Sequence, residues 1–146
     1  MDAFDRSGAD PEPRSYAEAL IAQLGPLDKR DIKARRALHA LGPDAVPALL
    51  SLALHDDPAA SETLSPQVAA ALSVLVLIGE PTLDAAVRAI RESDDSLVVA
   101  NAAELVHRTA QKLGVAVPSA VKEEVERKTG RDWAHVSGEW LNGGGA

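Results

Sequence analysis

The sequence predicts an all-α fold, arranged as a short right-handed α-solenoid of about three helical pairs with terminal capping helices. Three observations lead there. No stretch sustains the period-two alternation of a half-buried strand, and aromatic residues are only 3% of the chain, which disfavours a β fold. Each segment between Gly, Pro and Asp punctuation instead carries apolar residues at helical spacing. The punctuation itself recurs: Gly79 follows Gly42 by 37 residues, Gly114 follows Gly79 by 35, and Asp94 follows Asp56 by 38. One helical pair of that length cannot bury its apolar stripe alone and must stack on its neighbours.

In chain order, residues 1–14 hold Gly8, Pro11 and Pro13 with no apolar period and read as a flexible tail, leaving 15–141 as one domain. Ser15 and Glu18 are spaced as a capping box and open a helix to about Leu24, stopped by Gly25-Pro26. Asp31 to Leu41 forms a second helix ended by Gly42-Pro43. Asp44 to Leu54 follows, with Val46, Leu49, Leu50 and Ala53 on its apolar face and a break at Asp56-Asp57-Pro58. Ser65-Pro66 opens the next helix with proline in the first turn. The run Val68–Ile78 reads as nearly fully buried, and Gly79 ends it. Glu80 to Ile90 carries Leu83, Val87 and Ile90 and stops at Ser93-Asp94-Asp95. Under the 37-residue offset Val46 meets Leu83, Leu50 meets Val87 and Ala53 meets Ile90. Leu97–Leu113 ends at Gly114, and Pro118–Lys128 ends at Thr129-Gly130. Asp132 to Leu141 brings both tryptophans, before a flexible Gly-rich tail over 142–146.

Charge and composition bound the function. The net charge is −7, which repels polyphosphate and argues against nucleic acid and anionic membranes as partners. There are no cysteines, so disulfides, thiolate metal sites and cysteine nucleophiles are absent. The acidic start Met1-Asp2-Ala3-Phe4-Asp5 lacks the pattern of a secretory signal, and a cytoplasmic location is expected. The run Val68–Ile78 is shorter than the ~20 residues that a membrane span needs. No nucleophile elbow, phosphate-binding loop, dinucleotide fingerprint or His-Glu-x-x-His occurs, so the expectation is not an enzyme, with no cofactor and no metal.

The stretch Ile32-Lys33-Ala34-Arg35-Arg36-Ala37-Leu38-His39-Ala40-Leu41-Gly42, followed by Ala45-Val46-Pro47-Ala48-Leu49-Leu50, resembles a HEAT repeat of the short bacterial, phycobilin-lyase type. Residues 31–58 carry the resemblance best, with 66–95 and 97–130 following it more loosely. The resemblance implies a protein–protein interaction scaffold that binds along a concave or edge surface. Relatives of that kind also include tetrapyrrole-handling lyases and alkylpurine DNA glycosylases. A glycosylase would need a basic, aromatic groove, and this chain is acidic with two Trp, one Tyr and one Phe. The inter-repeat Asp–Arg ladder of the family is largely missing, because Lys33 holds the basic position in the first unit while Ala69 and Val99 hold it in the next two.

Four aspartates and two tryptophans are the candidate partner-binding residues. Asp56-Asp57 and Asp94-Asp95 fall in equivalent inter-repeat loops, so stacking would put them on one edge and attract a basic segment of a protein partner. The competing role is helix capping, with Asp95 poised to cap a helix before Leu97. Trp133 and Trp140 lie seven residues apart, two turns along one helix. They would either seal the open end of the solenoid core or anchor a partner, including a second copy of the chain. Lys29, Lys33 and Arg36 share a helix face and read as solvated, partly neutralised by Asp28 and Asp31. Glu104 and His107 have a metal-ligand spacing without a second copy, and His55-Asp56-Asp57 lacks a calcium loop.

The function expected from this reading is a non-enzymatic scaffold or regulatory binding module. An acidic inhibitor of antitoxin or immunity type, acting on a basic effector, is one alternative. An enzyme or cofactor-handling protein that uses the groove is another.

Overall fold

The computed structural model describes residues 13–25, 29–55 and 66–138, which form helices and turns with no strand. The all-α class is therefore as predicted. The helices are α1 (Pro13–Ile21), α2 (Lys29–Leu41), α3 (Val46–Leu54), α4 (Pro66–Ile78), α5 (Glu80–Glu92), α6 (Ser96–Leu113), α7 (Ser119–Thr129) and α8 (Trp133–Ser137), with a 3-10 turn at Gly42–Ala45 between α2 and α3.

Several boundaries differ from the sequence reading for identifiable reasons. The first helix starts at Pro13, so Ser15 lies in its first turn and not at its N-cap; a proline there has its φ pre-set for helix. The last helix ends at Ser137, because Gly138 takes φ +75° and breaks it. Trp140 lies three residues beyond that end, outside the described residues, so Trp133 is not joined to it by the two helical turns that the spacing predicts. Gly114 closes α6 as expected, at φ +73°, with the amide of Val115 donating to Ala110 O at 3.0 Å and that of Gly114 to Gln111 O at 3.2 Å.

The helices pack in two alternating rows. Even-numbered helices α2, α4, α6 and α8 touch in succession, odd-numbered α1, α3, α5 and α7 do the same, and the rows join through α1 with α2, α3 with α4, α5 with α6, and α7 with α8. Extensive contacts among the described residues run only between helices one to three apart along the chain. The most extensive pairing is that of α5 with α6 across the 93–95 break, and α6 also packs on α7 across Gly114. At Gly79 the chain turns a corner of 113° between α4 and α5, and not a tight antiparallel reversal. Gly79 sits there at φ +87°, and Thr82 Oγ1 donates to Leu75 O at 2.6 Å across the corner.

The core is aliphatic. Leu38, Leu49, Leu75, Ile90, Leu105, Val99, Val106 and Val125 are fully enclosed, each contributing roughly 1.5–3 kcal/mol of burial. Alanines Ala86, Ala102 and Ala103, also enclosed, let α5 and α6 approach closely. The run Val68–Ile78 is less buried than predicted. Ala69, Ser73 and Leu77 form an exposed stripe at four-residue spacing, with Leu77 55% exposed. Because α2, the 3-10 turn and α3 follow without a loop, Lys29–Leu54 is also one run long and apolar enough by length and composition to cross a membrane, with 44% of its most apolar window buried within the fold. Gly42, at φ +59°, interrupts it.

Polar side chains of neighbouring helices reach the C-terminal ends of odd helices, Gln67 and Asn101 from the even row and Lys128 from within the odd row. Gln67 Nε2 donates to Ile21 O at 2.9 Å, at the end of α1. Asn101 Nδ2 donates to Leu54 O at 2.8 Å, at the end of α3. Lys128 Nζ donates to Ile90 O, Arg91 O and Ser93 O at 2.8, 3.0 and 2.7 Å, at the end of α5. These carbonyls have no partner inside their own helices and carry the negative end of the helix dipole.

Candidate functional site

A groove of about 690 Å³ lies between α5 and α7 on the odd-numbered row. Its apolar lining includes Leu83 and Val87 of α5, Val106 and Ala110 of α6, and Val121 of α7, and the 114–118 linker closes one side. Amphipathicity places these residues: α5 turns Ala86 and Ile90 into the core and leaves Leu83 and Val87 half-buried at the groove. Asp84, Arg88, Arg91 and Glu92 form its rim, and none of their side chains makes an ion pair with a described residue. Unpaired rim charges around an apolar floor suit recognition of a peptide or a protein surface.

The predicted aspartates divide. Asp56 and Asp57 lie outside the described residues. Asp95 is the N-cap of α6, its carboxylate accepting the Leu97 amide at 2.9 Å, which is the capping role that its position predicts. Asp94 has a side chain 99% exposed, with one oxygen 3.8 Å from Lys128 Nζ. Of the pair, Asp94 is thus the carboxylate directed at solvent.

Lys128, only 7% exposed, is the residue that sequence reasoning missed. It also lies 3.2 Å from Glu124, which pairs with Arg127 as well. The Lys128 hydrogen bond is the main reason that the Glu124 pKa lies below the usual carboxylate range; partial burial opposes this, and the Arg127 charge adds to it. Nothing in the sequence around Lys128 distinguishes it from any lysine in the last turn of a helix.

Trp133 is 4% exposed and packs into the core, which matches a capping role and leaves little of the ring for a partner. Its backbone amide donates to Glu126 Oε2 at 2.8 Å, and Lys122 Nζ stands 5.9 Å from its ring centroid. Trp140 lies outside the described residues.

The remaining candidates have local roles. Lys29, Lys33 and Arg36 are exposed, whereas Arg35 pairs with Asp31 at 3.2 Å. Asp31 is 1% exposed and also accepts the Gly25 amide at 2.8 Å. Burial raises its pKa, but the Gly25 hydrogen bond and the Arg35 guanidinium outweigh that and hold it below the ordinary value. Glu104 pairs with Arg108 at 2.7 Å, and His55 Nδ1 lies 3.0 Å from Ser51 O of its own helix. No group of three or more His, Asp or Glu that could hold a metal ion occurs among the described residues.

Compared with known proteins, the chain matches no family model, no curated protein and no solved structure.

Proposed function

We propose that the chain is a non-enzymatic interaction module, built as a short HEAT-like α-solenoid, that binds a basic segment of a partner protein through the α5–α7 groove. The groove carries this reading: its volume is about 690 Å³, apolar side chains form its floor, and the charges at its edge pair with no described residue. Among the described residues the extensive contacts join helices near one another in sequence, which supports the solenoid, since a compact bundle would also bring distant helices together. The Gln67–Ile21 and Asn101–Leu54 contacts support a repeat as well, because their donors lie 34 residues apart and their acceptors 33. Exposed Asp94 and the −7 charge favour a basic partner, and a basic effector neutralised by this chain is a special case of the same reading.

Peptide display on the immobilised chain tests the proposal. Peptides combining apolar anchors with Lys or Arg should be enriched, and Val87→Glu should abolish their binding while Ser51→Glu, at an exposed position of α3, leaves it intact. Binding that survives Val87→Glu in a folded protein would remove the groove from the function.

A further inference from the structure

We infer that a second, smaller pocket beneath the 114–118 linker is a binding site for a small organic carboxylate. The pocket, of about 270 Å³, is lined on its polar side by His107, Gln111, Lys122 and Trp133 and on its apolar side by Val115 and Val117.

Two buried side-chain nitrogens in its wall, Trp133 Nε1 and His107 Nε2, have no hydrogen-bond partner among the described residues. An indole nitrogen can only donate, and a buried donor without an acceptor is destabilising. Trp133 is otherwise 96% enclosed, so that donor has no access to water in its place. Lys122 adds a charge: its Nζ stands 5.9 Å from the Trp133 ring centroid and pairs with no carboxylate among the described residues. Glu126, one turn further along α7, accepts the Trp133 backbone amide.

The wall therefore presents an indole N–H, an imidazole nitrogen able to donate and an unpaired ammonium, beside apolar side chains. That set fits an oxyanion with an apolar body better than it fits a cation or an inorganic phosphate. Entry requires a small outward shift of the linker, where Val115 is 49% exposed and Gly114 supplies a left-handed hinge. The carboxylate oxygens would then take the Trp133 and His107 hydrogens, and Lys122 would close over the charge. This site is separate from the α5–α7 groove reading and does not depend on it.

Sodium benzoate is the probe, with benzamide and inorganic phosphate as controls, and the indole resonances of Trp133 and Trp140 in a nitrogen–proton correlation spectrum as readout. Benzoate should move the Trp133 Nε1–H signal saturably and leave that of Trp140 in place, while benzamide and phosphate should do neither. Lys122→Gln, at a partly exposed position, should fold normally and weaken benzoate about tenfold, the worth of one charge-assisted contact. No saturable shift at millimolar benzoate, equal affinity in Lys122→Gln, or a crystal structure with water on both nitrogens that benzoate does not displace would each overturn the inference.

Discussion

The side-chain amide of Asn101 on α6 donates to the carbonyl oxygen of Leu54 at 2.8 Å, joining the start of one helix to the end of another 47 residues earlier. Gln67 repeats this relation toward Ile21 one unit earlier. Replacing Asn101 by Ala should cost about 1 kcal/mol, since one carbonyl loses its donor and regains water only in part. The Gln67→Ala, Asn101→Ala double variant should lose close to the sum of the single losses, because the two contacts share no partner. Chemical denaturation of the three variants checks both statements.

Lys128 should matter more. Its ammonium serves three carbonyls at the negative end of α5, and Lys128→Met leaves all of them without that donor. A loss of roughly 2–3 kcal/mol is expected from the hydrogen bonds to a charged group. Lys128→Arg should recover only part, because a planar fork cannot converge on three oxygens as an ammonium does. Thermal melts of both variants would show the ordering.

The neighbouring aspartates should separate stability from binding. Asp95→Ala removes the α6 cap and should destabilise by about 1 kcal/mol, while Asp95→Asn keeps the accepting oxygen and should be close to neutral. Asp94→Asn should leave the melting midpoint unchanged and slow association with a basic partner peptide, most visibly at low salt. Stopped-flow association at two ionic strengths reads the second effect.

Asp31 should give stability an acid limit. Its pKa is lower in the folded chain than in an unfolded one, so its contribution is fully present above the ordinary aspartate value of about 3.9 and fades as pH falls through the lowered folded value. Asp31→Asn should therefore be less stable than wild type at neutral pH, with the gap narrowing in acid. Denaturant titrations from pH 7 down to about 2.5 would trace it.

Helix positions were legible in the sequence because periodicity and glycine stops are local signals: Gly79 and Gly114 end α4 and α6 where expected. The capping role of Asp95 was equally local. Pairing was not legible, since Gly79 marks a corner in this chain and the sequence does not distinguish a corner from a hairpin. The groove was hidden for a related reason. Leu83 and Val87 have the spacing of core residues, and only the separation of α5 from α7 leaves them half-buried. Lys128 was invisible because its three acceptors lie 35 to 38 residues away.

The ladder-like packing has a kinetic consequence. Since contacts join helices close in sequence, each new hairpin closes a short loop onto structure already formed, and the barrier to folding stays low. The same locality lets the two ends open separately. The central helix α6, which touches α3, α4, α5, α7 and α8, should hold its amide hydrogens longest, and α1 and α8 should exchange theirs first. An end that opens before the centre gives a partner, or a protease, a way in that leaves the rest of the fold in place.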